Sequence, residues 1–270
     1  MEKREINNAS ELSREYESLG IPKISSRTAR IELHRAGMKV MHMFKRPLLT
    51  SASRKKRLEF AMEHRNWTVN DWRAVVFSDE SIINSKSNVG QQFKWVKPIH
   101  SLNPELIIPT VQGGPSIMVW GCVSRFGVHD IECLEGSIDG PRYISVLKDN
   151  IIPIKNDYFK SDHFIFQQDN APVHNSQVVQ KFLENHKIQV INWPPYSPDI
   201  NIMENIWFYL KEELIKLNVA HSKKELWLNV GITMEQMWTS EMTKKANDLY
   251  ESLPDRMEAI IKAKGGNTMY

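Results

Sequence analysis

The spacing of apolar and polar positions along the chain predicts a mixed α/β protein. Strands are predicted where β-branched residues cluster, at 74–81, 116–124, 128–134, 163–168 and 188–193. Helices are predicted where apolar residues recur every three or four positions, at 141–152, 177–186, 202–217, 223–238 and 240–263. Three early strands followed by alternating helices and strands favour a mixed sheet covered by helices. The stretch 82–115 fits neither period, so it is either a functional loop or an unrecognised hairpin.

The region before the first strand has a different pattern. Two short helices are predicted at 11–18 and 26–36, and Gly20 and Pro22 separate them. Ser25 or Ser26 can cap the second helix, and Gly37 can end it. A helix, a short turn and a basic second helix form a helix-turn-helix pattern, although most short basic helix pairs do not bind DNA. A basic linker then leads into a helix predicted at 53–64.

Charge distinguishes this basic head from the rest of the chain. Residues 1–66 carry 15 Lys and Arg against 8 Asp and Glu, whereas residues 67–270 carry 20 against 24. Such a head indicates a polyanionic partner, commonly nucleic acid, although a solvated lysine-rich surface gives the same pattern. No apolar stretch approaches the ~18 residues of a membrane helix. Two cysteines cannot build a disulfide framework, which fits a reducing compartment.

Three acidic residues each end a strand or open a helix: Asp79, Asp169 and Glu204. Carboxylates that converge from neighbouring strand ends repel one another unless a cation neutralises them. Hard oxygen ligands select Mg²⁺ or Mn²⁺, and two such ions make a phosphoryl-transfer site. Each residue also has an ordinary explanation. Glu80 competes with Asp79 for the site, Asp169 suits a turn, and Glu204 three residues after Asn201 suits a capping box.

Five local sequences follow one another in order along the body. They are FSDES at 77–81, WGC at 120–122, QDNAPVH at 168–174, WPPYSPDIN at 193–201 and ENIW at 204–207. This series closely resembles the transposases of the Tc/mariner superfamily. The 34 residues between Asp169 and Glu204, with Glu in third place, resemble the Tc branch. In the head, SRTAR at 26–30 resembles the recognition helix of the family's second helix-turn-helix.

The resemblance implies a ribonuclease-H-like catalytic fold, an α/β mixed sheet flanked by helices, preceded by a partial helix-turn-helix head. It implies three segments: a DNA-binding segment at 1–38, a basic linker with its helix at 39–70 and a catalytic domain at 71–270. The implied activity is cut-and-paste DNA transposition. Asp79, rather than Glu80, would bind Mg²⁺ or Mn²⁺ together with Asp169 and Glu204. Hydrolysis at the element ends would precede attack of the freed 3′-hydroxyl on target DNA at TA.

Further residues take implied roles by position. The expected DNA-binding residues are Ser26, Arg27, Thr28, Arg30, Lys45, Arg46, Arg54, Lys55, Lys56 and Arg57. Trp95 and Pro98 resemble part of a loop that clasps the partner protomer, and a homodimer on the DNA ends is expected. The DNA substrate implies a nuclear location and no membrane partner.

Two departures from the family pattern qualify the resemblance. The chain starts inside the second helix-turn-helix unit, so we expect poor recognition of inverted repeats. Ile202 stands where the family usually has Pro. We expect this difference to reduce the rigidity of the helix start by a small amount and to leave the carboxylate of Glu204 in place. A catalytically silent relict, or a domesticated DNA-binding protein, is the alternative function. A general metal-dependent nuclease of the same fold is a third possibility.

Overall fold

The computed structural model describes residues 24–35, 49–85, 114–160, 162–237 and 239–270. The chain divides into two compact units, Met1–Arg46 and Pro47–Tyr270. In the first unit, helix α1 (Ser26–Arg35) confirms the helix predicted at 26–36. Ser25 caps this helix, because its Oγ accepts the N–H of Thr28 at 3.1 Å. The helix predicted at 11–18 and the turn at Gly37 lie outside the described residues.

In the described part of the second unit, six strands form one mixed sheet. They are β1 (Val75–Asn84), β2 (Ser116–Ser124), β3 (Gly127–Val128), β4 (Glu132–Leu134), β5 (Ile165–Gln167) and β6 (Gln189–Val190). The order is β3-β2-β1-β5-β6, and β4 also pairs with β2. Strand β2 is antiparallel to β1, whereas β5 runs parallel to both β1 and β6.

Helices pack on both faces of this sheet. They are α2 (Ser51–Glu63), α3 (Val69–Trp72), α4 (Gly140–Pro153), α5 (Gln177–Asn185), α6 (Met203–Leu214), α7 (Lys223–Met237), α8 (Ser240–Glu251) and α9 (Leu253–Lys262). Successive side chains of a strand point to opposite faces. Accordingly Val75 and Phe77 join the core with α6 to α9, while Val76 joins the core with α4 and α5. The predicted mixed sheet covered by helices is confirmed.

Short polar side chains mark where several helices begin. Thr50 accepts the N–H of the third residue of α2, and Asp139 and Thr239 do the same for α4 and α8. Thr68 and Asp71 form a capping box at α3. Each cap satisfies an N–H group that would otherwise have no partner in the first helical turn.

The predicted boundaries needed several corrections. The predicted helix 240–263 is two helices that meet at Ser252, because Pro254 lacks an N–H and cannot continue α8. The predicted strand 128–134 is interrupted between β3 and β4, and the strand predicted at 188–193 is only two residues long. Strand β1 continues to Asn84, so the unassigned stretch begins as strand, and residues 86–113 lie outside the described ranges. None of the helices in these ranges is long and apolar enough to cross a membrane.

Arg57 corrects the predicted set of DNA-binding residues. Its side chain is fully buried, and both terminal nitrogens bind the carboxylate of Asp199 at 2.7 and 2.6 Å. The same guanidinium donates to the carbonyls of Tyr196, Gly265 and Gly266. The arginine therefore joins α2 to the loop before α6 and to the turn after α9. The sequence suggested a solvated basic run, but every fourth residue of a surface helix faces inward.

We predict that Arg57→Met lowers the free energy of unfolding by about 3–5 kcal/mol, because it leaves a buried carboxylate without its charged partner. Burial alone would raise the pKa of Asp199, but the ion pair with Arg57 outweighs it and keeps that pKa below its usual value. The matched control is Lys56→Met, an exposed position on the same helix, which should change stability by less than about 0.5 kcal/mol. Urea unfolding of both variants would measure this, and equal midpoints would contradict the assignment.

A second stability prediction concerns His129, whose Nε2 lies 2.7 Å from Ser124 Oγ. Burial lowers the pKa of His129 to about 4. An unfolded histidine titrates near 6.5, so between these pH values the unfolded chain binds more protons. The stability that neutral His129 contributes is present above about pH 6.5 and is lost as the pH falls toward 4.

Replacing His129 with Gln should therefore flatten the fall in melting temperature between pH 6.5 and 4. The exposed His221 provides the control, and His221→Gln should follow the wild-type profile. Thermal unfolding at half-unit pH steps would measure the difference, and parallel curves for His129→Gln and wild type would refute the prediction.

Candidate active site

The pairing of β1 with β5 brings two acidic residues to the same edge of the sheet. Phe77 of β1 pairs with Gln167 of the parallel strand β5. Asp79 and Asp169 each follow this pair by two residues, so they leave neighbouring strands in the same direction. The pairing is reinforced by Ser78, whose Oγ donates to the carbonyl of Gln167 at 2.8 Å. Asp169 follows the end of β5, whereas Asp79 lies in the middle of β1, because this strand continues to Asn84.

Helix α6 brings the third acidic residue to this edge. The helix begins at Met203 with Ile202 as its N-cap, so Glu204 is not at the third position that a capping box requires. Instead, the Asn201 side chain accepts the N–H of Met203 at 3.1 Å. Ile202 has a φ of −68°, the value that proline would impose, and its side chain is fully buried. Glu204 lies in the first helical turn and is exposed.

The three acidic residues line one open cleft of about 470 Å³. Its remaining walls come from the loops after β5 and β6: Asn170, Ala171, Trp193, Pro194, Pro195, Tyr196, Ser197, Pro198 and Asn201. Asn170 Nδ2 donates to the Trp193 carbonyl at 2.7 Å and joins the two loops. Glu80 does not line this cleft, so the geometry favours Asp79 as the site residue from β1.

The carboxyl of Asp79 is strongly perturbed by its surroundings. Burial, followed by the neighbouring carboxylates of Glu204 and Glu80, raises the pKa of Asp79 well above its usual range. Two hydrogen bonds oppose this effect: the Trp207 indole N–H donates to Asp79 Oδ2 at 3.1 Å, and the backbone N–H of Glu80 also donates to the carboxylate. The geometry thus places a largely buried carboxylate beside two further carboxylates, and this repulsion favours a bound cation.

Asp169 interacts with a buried histidine on the opposite wall. Its Oδ1 lies 2.7 Å from His174 Nδ1 and also accepts the N–H of Ala171. His174 Nε2 lies 3.3 Å from Glu80 Oε1, and its ring stacks on Tyr143 with centroids 4.2 Å apart. Burial disfavours imidazolium, but the two carboxylates outweigh it and raise the pKa of His174 to about 9. The histidine, in turn, lowers the pKa of Asp169.

Across residues 24–35, 49–85, 114–160, 162–237 and 239–270, no three His, Cys, Asp or Glu side chains stand close enough together to hold a metal ion. Asp79 and Glu204 interact across one part of the cleft, while Asp169 interacts with His174. A site built from all three carboxylates therefore requires at least one side chain to move. The donor set itself, three carboxylates in one cleft, suits a hard divalent cation.

Three residues near the site were not predicted from the sequence. Lys211 Nζ donates to Ser81 Oγ at 2.8 Å, and burial lowers the pKa of Lys211 although Glu204 and Asp79 oppose this. His174 is buried between two carboxylates. Trp207 and Lys211 follow Glu204 by three and seven positions, a spacing that places all three residues on one helical face. This spacing is the sequence signal that could have identified Trp207 and Lys211.

The predicted DNA-binding residues separate into three groups. Ser26, Arg27, Thr28 and Arg30 are exposed on α1, and Arg54, Lys55 and Lys56 are exposed on α2. Arg57 is buried, as described above. Lys45 and Arg46 lie outside the described residues, as do Trp95 and Pro98 of the expected protomer-clasp loop.

Comparison with protein families gives two matches. The family described as DDE superfamily endonuclease matches residues 74–227, more than half of the chain. The family described as transposase, whose profile covers a helix-turn-helix segment, matches residues 3–66. The first match includes all three cleft carboxylates, and the second includes α1 and α2.

Curated relatives and solved structures give the same result. The transposable element Tcb1 transposase of Caenorhabditis briggsae is 32% identical over 92% of this chain and 89% of its own length. The transposable element Tc1 transposase of Caenorhabditis elegans is 29% identical with the same coverage. A Mos1 transposase paired-end complex with the left transposon end aligns with a TM-score of 0.74 at 17% identity, over 99% of this chain and 82% of that one. At that identity the likeness establishes the ribonuclease-H-like fold.

We predict that Asp79→Asn stabilises the protein in metal-free buffer. The amide removes a carboxylate that burial and two acidic neighbours destabilise, and its oxygen still accepts the Trp207 indole N–H. A gain of about 1 kcal/mol would raise the melting temperature by about 2–4 °C in a chain of this size. Glu212→Gln, on the exposed side of α6, is the control and should leave the melting temperature unchanged. A lower melting temperature for Asp79→Asn in EDTA would contradict the electrostatic argument.

Proposed function

The chain belongs to the Tc1/mariner family of DDE transposases, and we propose that Asp79, Asp169 and Glu204 are the carboxylates with which it cuts and joins DNA. Members of this family move DNA by cut-and-paste transposition and use a divalent metal ion in the endonuclease domain. The observation that carries the assignment is that the three carboxylates, from β1, the end of β5 and the start of α6, line one cleft.

The chemistry of the donor set supports Mg²⁺ or Mn²⁺ at this site. Asp79 and Glu204 form a pair of repelling carboxylates, and a divalent cation would relieve that repulsion. We propose that Asp169 is the third ligand and that it exchanges His174 for the cation. When bound, divalent ions of this kind activate an attacking oxygen and stabilise a leaving oxygen at phosphorus.

The residues around the carboxylates keep them in position for this reaction. Trp207 holds the Asp79 carboxylate, and His174 holds the Asp169 carboxylate until a cation is bound. Arg57 and Asn170 support the loops that form the wall at Tyr196 and Trp193. The cleft is open, as a site for double-stranded DNA must be, and water reaches it for the hydrolytic step. A 3′-hydroxyl reaches the same place for strand transfer.

The exposed basic residues of the two helices provide the proposed DNA contacts. Arg27 and Arg30 of α1 suit the recognition helix of a helix-turn-helix, with the exposed hydroxyls of Ser26 and Thr28 beside them. Lys45 and Arg46 of the linker sequence are also proposed to bind DNA. Arg54, Lys55 and Lys56 of α2 present cations that suit the phosphate backbone. We further propose a homodimer on the transposon ends clasped through Trp95 and Pro98, insertion at TA, and a nuclear location.

The test is nicking of supercoiled plasmid in the presence of Mg²⁺ or Mn²⁺. We expect the wild type to convert supercoiled DNA to open-circular and linear forms, and Asp169→Asn to lose this activity at least about 100-fold, since it removes one of the proposed ligands. Asp149→Asn, an exposed carboxylate on α4, is the matched control and should cut like the wild type.

Circular dichroism of each variant must first show a folded chain. Cutting by Asp169→Asn at the wild-type rate would overturn the assignment of the carboxylates. Absence of cutting by a folded wild-type chain, with and without added DNA ends, would favour the catalytically silent alternative.

A further inference from the structure

One face of α6 is directed at the catalytic strand β1. Glu204, Trp207 and Lys211 follow one another at spacings of three and four residues and share that face. Trp207 reaches Asp79, and Lys211 reaches Ser81, which lies two residues further along β1 and points to the same side. Helix α6 therefore carries Glu204, one of the proposed catalytic carboxylates, and also contacts a second one, Asp79, through the indole of Trp207.

The Trp207 hydrogen bond is specific rather than a general consequence of burial. The side chain is 1% exposed, and its Nε1 lies 3.1 Å from Asp79 Oδ2. Trp72 is equally buried in the same core, yet its Nε1 has no hydrogen-bond partner among the described residues. This fold therefore tolerates a buried indole N–H without a partner. Burial of the indole therefore does not by itself explain why Trp207 is hydrogen-bonded to the Asp79 carboxylate.

Gly121 of β2 makes room for this indole. It stands directly opposite Asp79 in the β1–β2 register. A Cβ at this position would lie 2.8 Å from Trp207 Cη2 and 3.3 Å from both Ile131 Cγ1 and Met203 Cε. Gly121 does not have a positive φ, so its backbone conformation is open to any residue. Glycine inside a strand costs stability, and the reason for it here is steric.

We infer that Trp207 is a positioning residue for the metal-binding carboxylate Asp79. The absence of a side chain at Gly121 leaves the space, called the slot below, in which the Trp207 indole is held. The indole fixes the direction of the carboxylate and stabilises its anionic form, which is the form that binds a cation. This inference rests on the proposed function, in which Asp79 is a metal ligand. Partners of this kind typically change metal affinity 10- to 100-fold when they are removed.

The test measures the affinity of the full chain for Mn²⁺ by isothermal titration calorimetry and by the paramagnetic resonance of free Mn²⁺. Trp207→Phe keeps an aromatic ring but removes the N–H donor, and we expect Mn²⁺ to bind 10- to 100-fold more weakly. Trp72→Phe is the matched control, because it removes a buried indole N–H that has no partner, and it should bind Mn²⁺ like the wild type. Melting temperatures of both variants separate loss of positioning from loss of stability.

Gly121→Ala tests the slot itself. The added methyl group must displace the indole, so we expect weaker Mn²⁺ binding although Asp79 and Trp207 are both retained. Phenylalanine lacks Cη2, so in the Trp207→Phe background the same alanine should reduce affinity by much less. Such non-additivity is the signature of residues that act through one contact. Equal effects of Gly121→Ala in both backgrounds would overturn the role of the slot.

The outcomes separate this inference from the proposed function. Asp79→Asn should abolish tight Mn²⁺ binding; if it binds like the wild type, or if the wild type itself does not bind Mn²⁺, the proposed site is wrong. If Asp79→Asn loses binding while Trp207→Phe retains wild-type affinity, the site stands and the role of Trp207 is refuted. Should Trp207→Phe fail to fold, benzothienylalanine at position 207, which replaces the N–H with sulfur in the same shape, gives the same comparison.

Discussion

One buried guanidinium supports the loop that forms a wall of the cleft. Arg57 extends from α2 and forms an ion pair with Asp199. Its guanidinium also donates to the backbone carbonyls of Tyr196, Gly265 and Gly266. A buried charge of this kind is costly unless every donor is used, and the guanidinium, with its fixed planar fork, is suited to several acceptors at once. Arg256 reinforces the arrangement by donating to the Asp199 carbonyl at 2.9 Å. The loop that carries the cleft wall is therefore held from two helices.

The cleft is the opposite case, because its charges are concentrated but not fully compensated. Asp79 and Glu204 repel one another, and the single charge of protonated His174 faces two carboxylates, Asp169 and Glu80. The buried ion pair of Arg57 with Asp199 is thus balanced and supports the structure. The carboxylates of the cleft are not balanced, which suits catalysis. Such local destabilisation is common at sites where activity needs a strained or charged arrangement.

Much of the fold follows from local patterns in the sequence. The strand at Val75 and the helix after Asp139 were predicted because β-branched clusters and apolar residues that recur every three or four positions are local signals. The break at Pro254 was missed because the apolar periodicity continues through it. The acidic residues of the cleft were identified individually, but only the family resemblance decided for Asp79 against Glu80. Side chains alternate between the two faces of a strand, so this alternation alone cannot show which face lines the site.

The positions that could not be predicted depend on tertiary packing. Arg57 reads as one of four consecutive basic residues, and nothing local marks it as the buried one. Gly121 reads as an ordinary strand residue, although its lack of a side chain is what admits Trp207. His174 reads as a loop residue, yet it is buried beside Tyr143. In each case the partner lies far away in the chain, so no window of sequence contains both.

The distance along the chain between Arg57 and its partners has a consequence for how the protein is made. The guanidinium meets Asp199 across 142 positions and the Gly265 carbonyl across 208. Contacts of such long separation form late, because the intervening chain must first lose its conformational freedom. On the ribosome, β1, β5 and α6 emerge before the turn that completes the bonding of Arg57. The wall of the cleft at Tyr196 therefore gains its full support only after Gly265 and Gly266 have been synthesised.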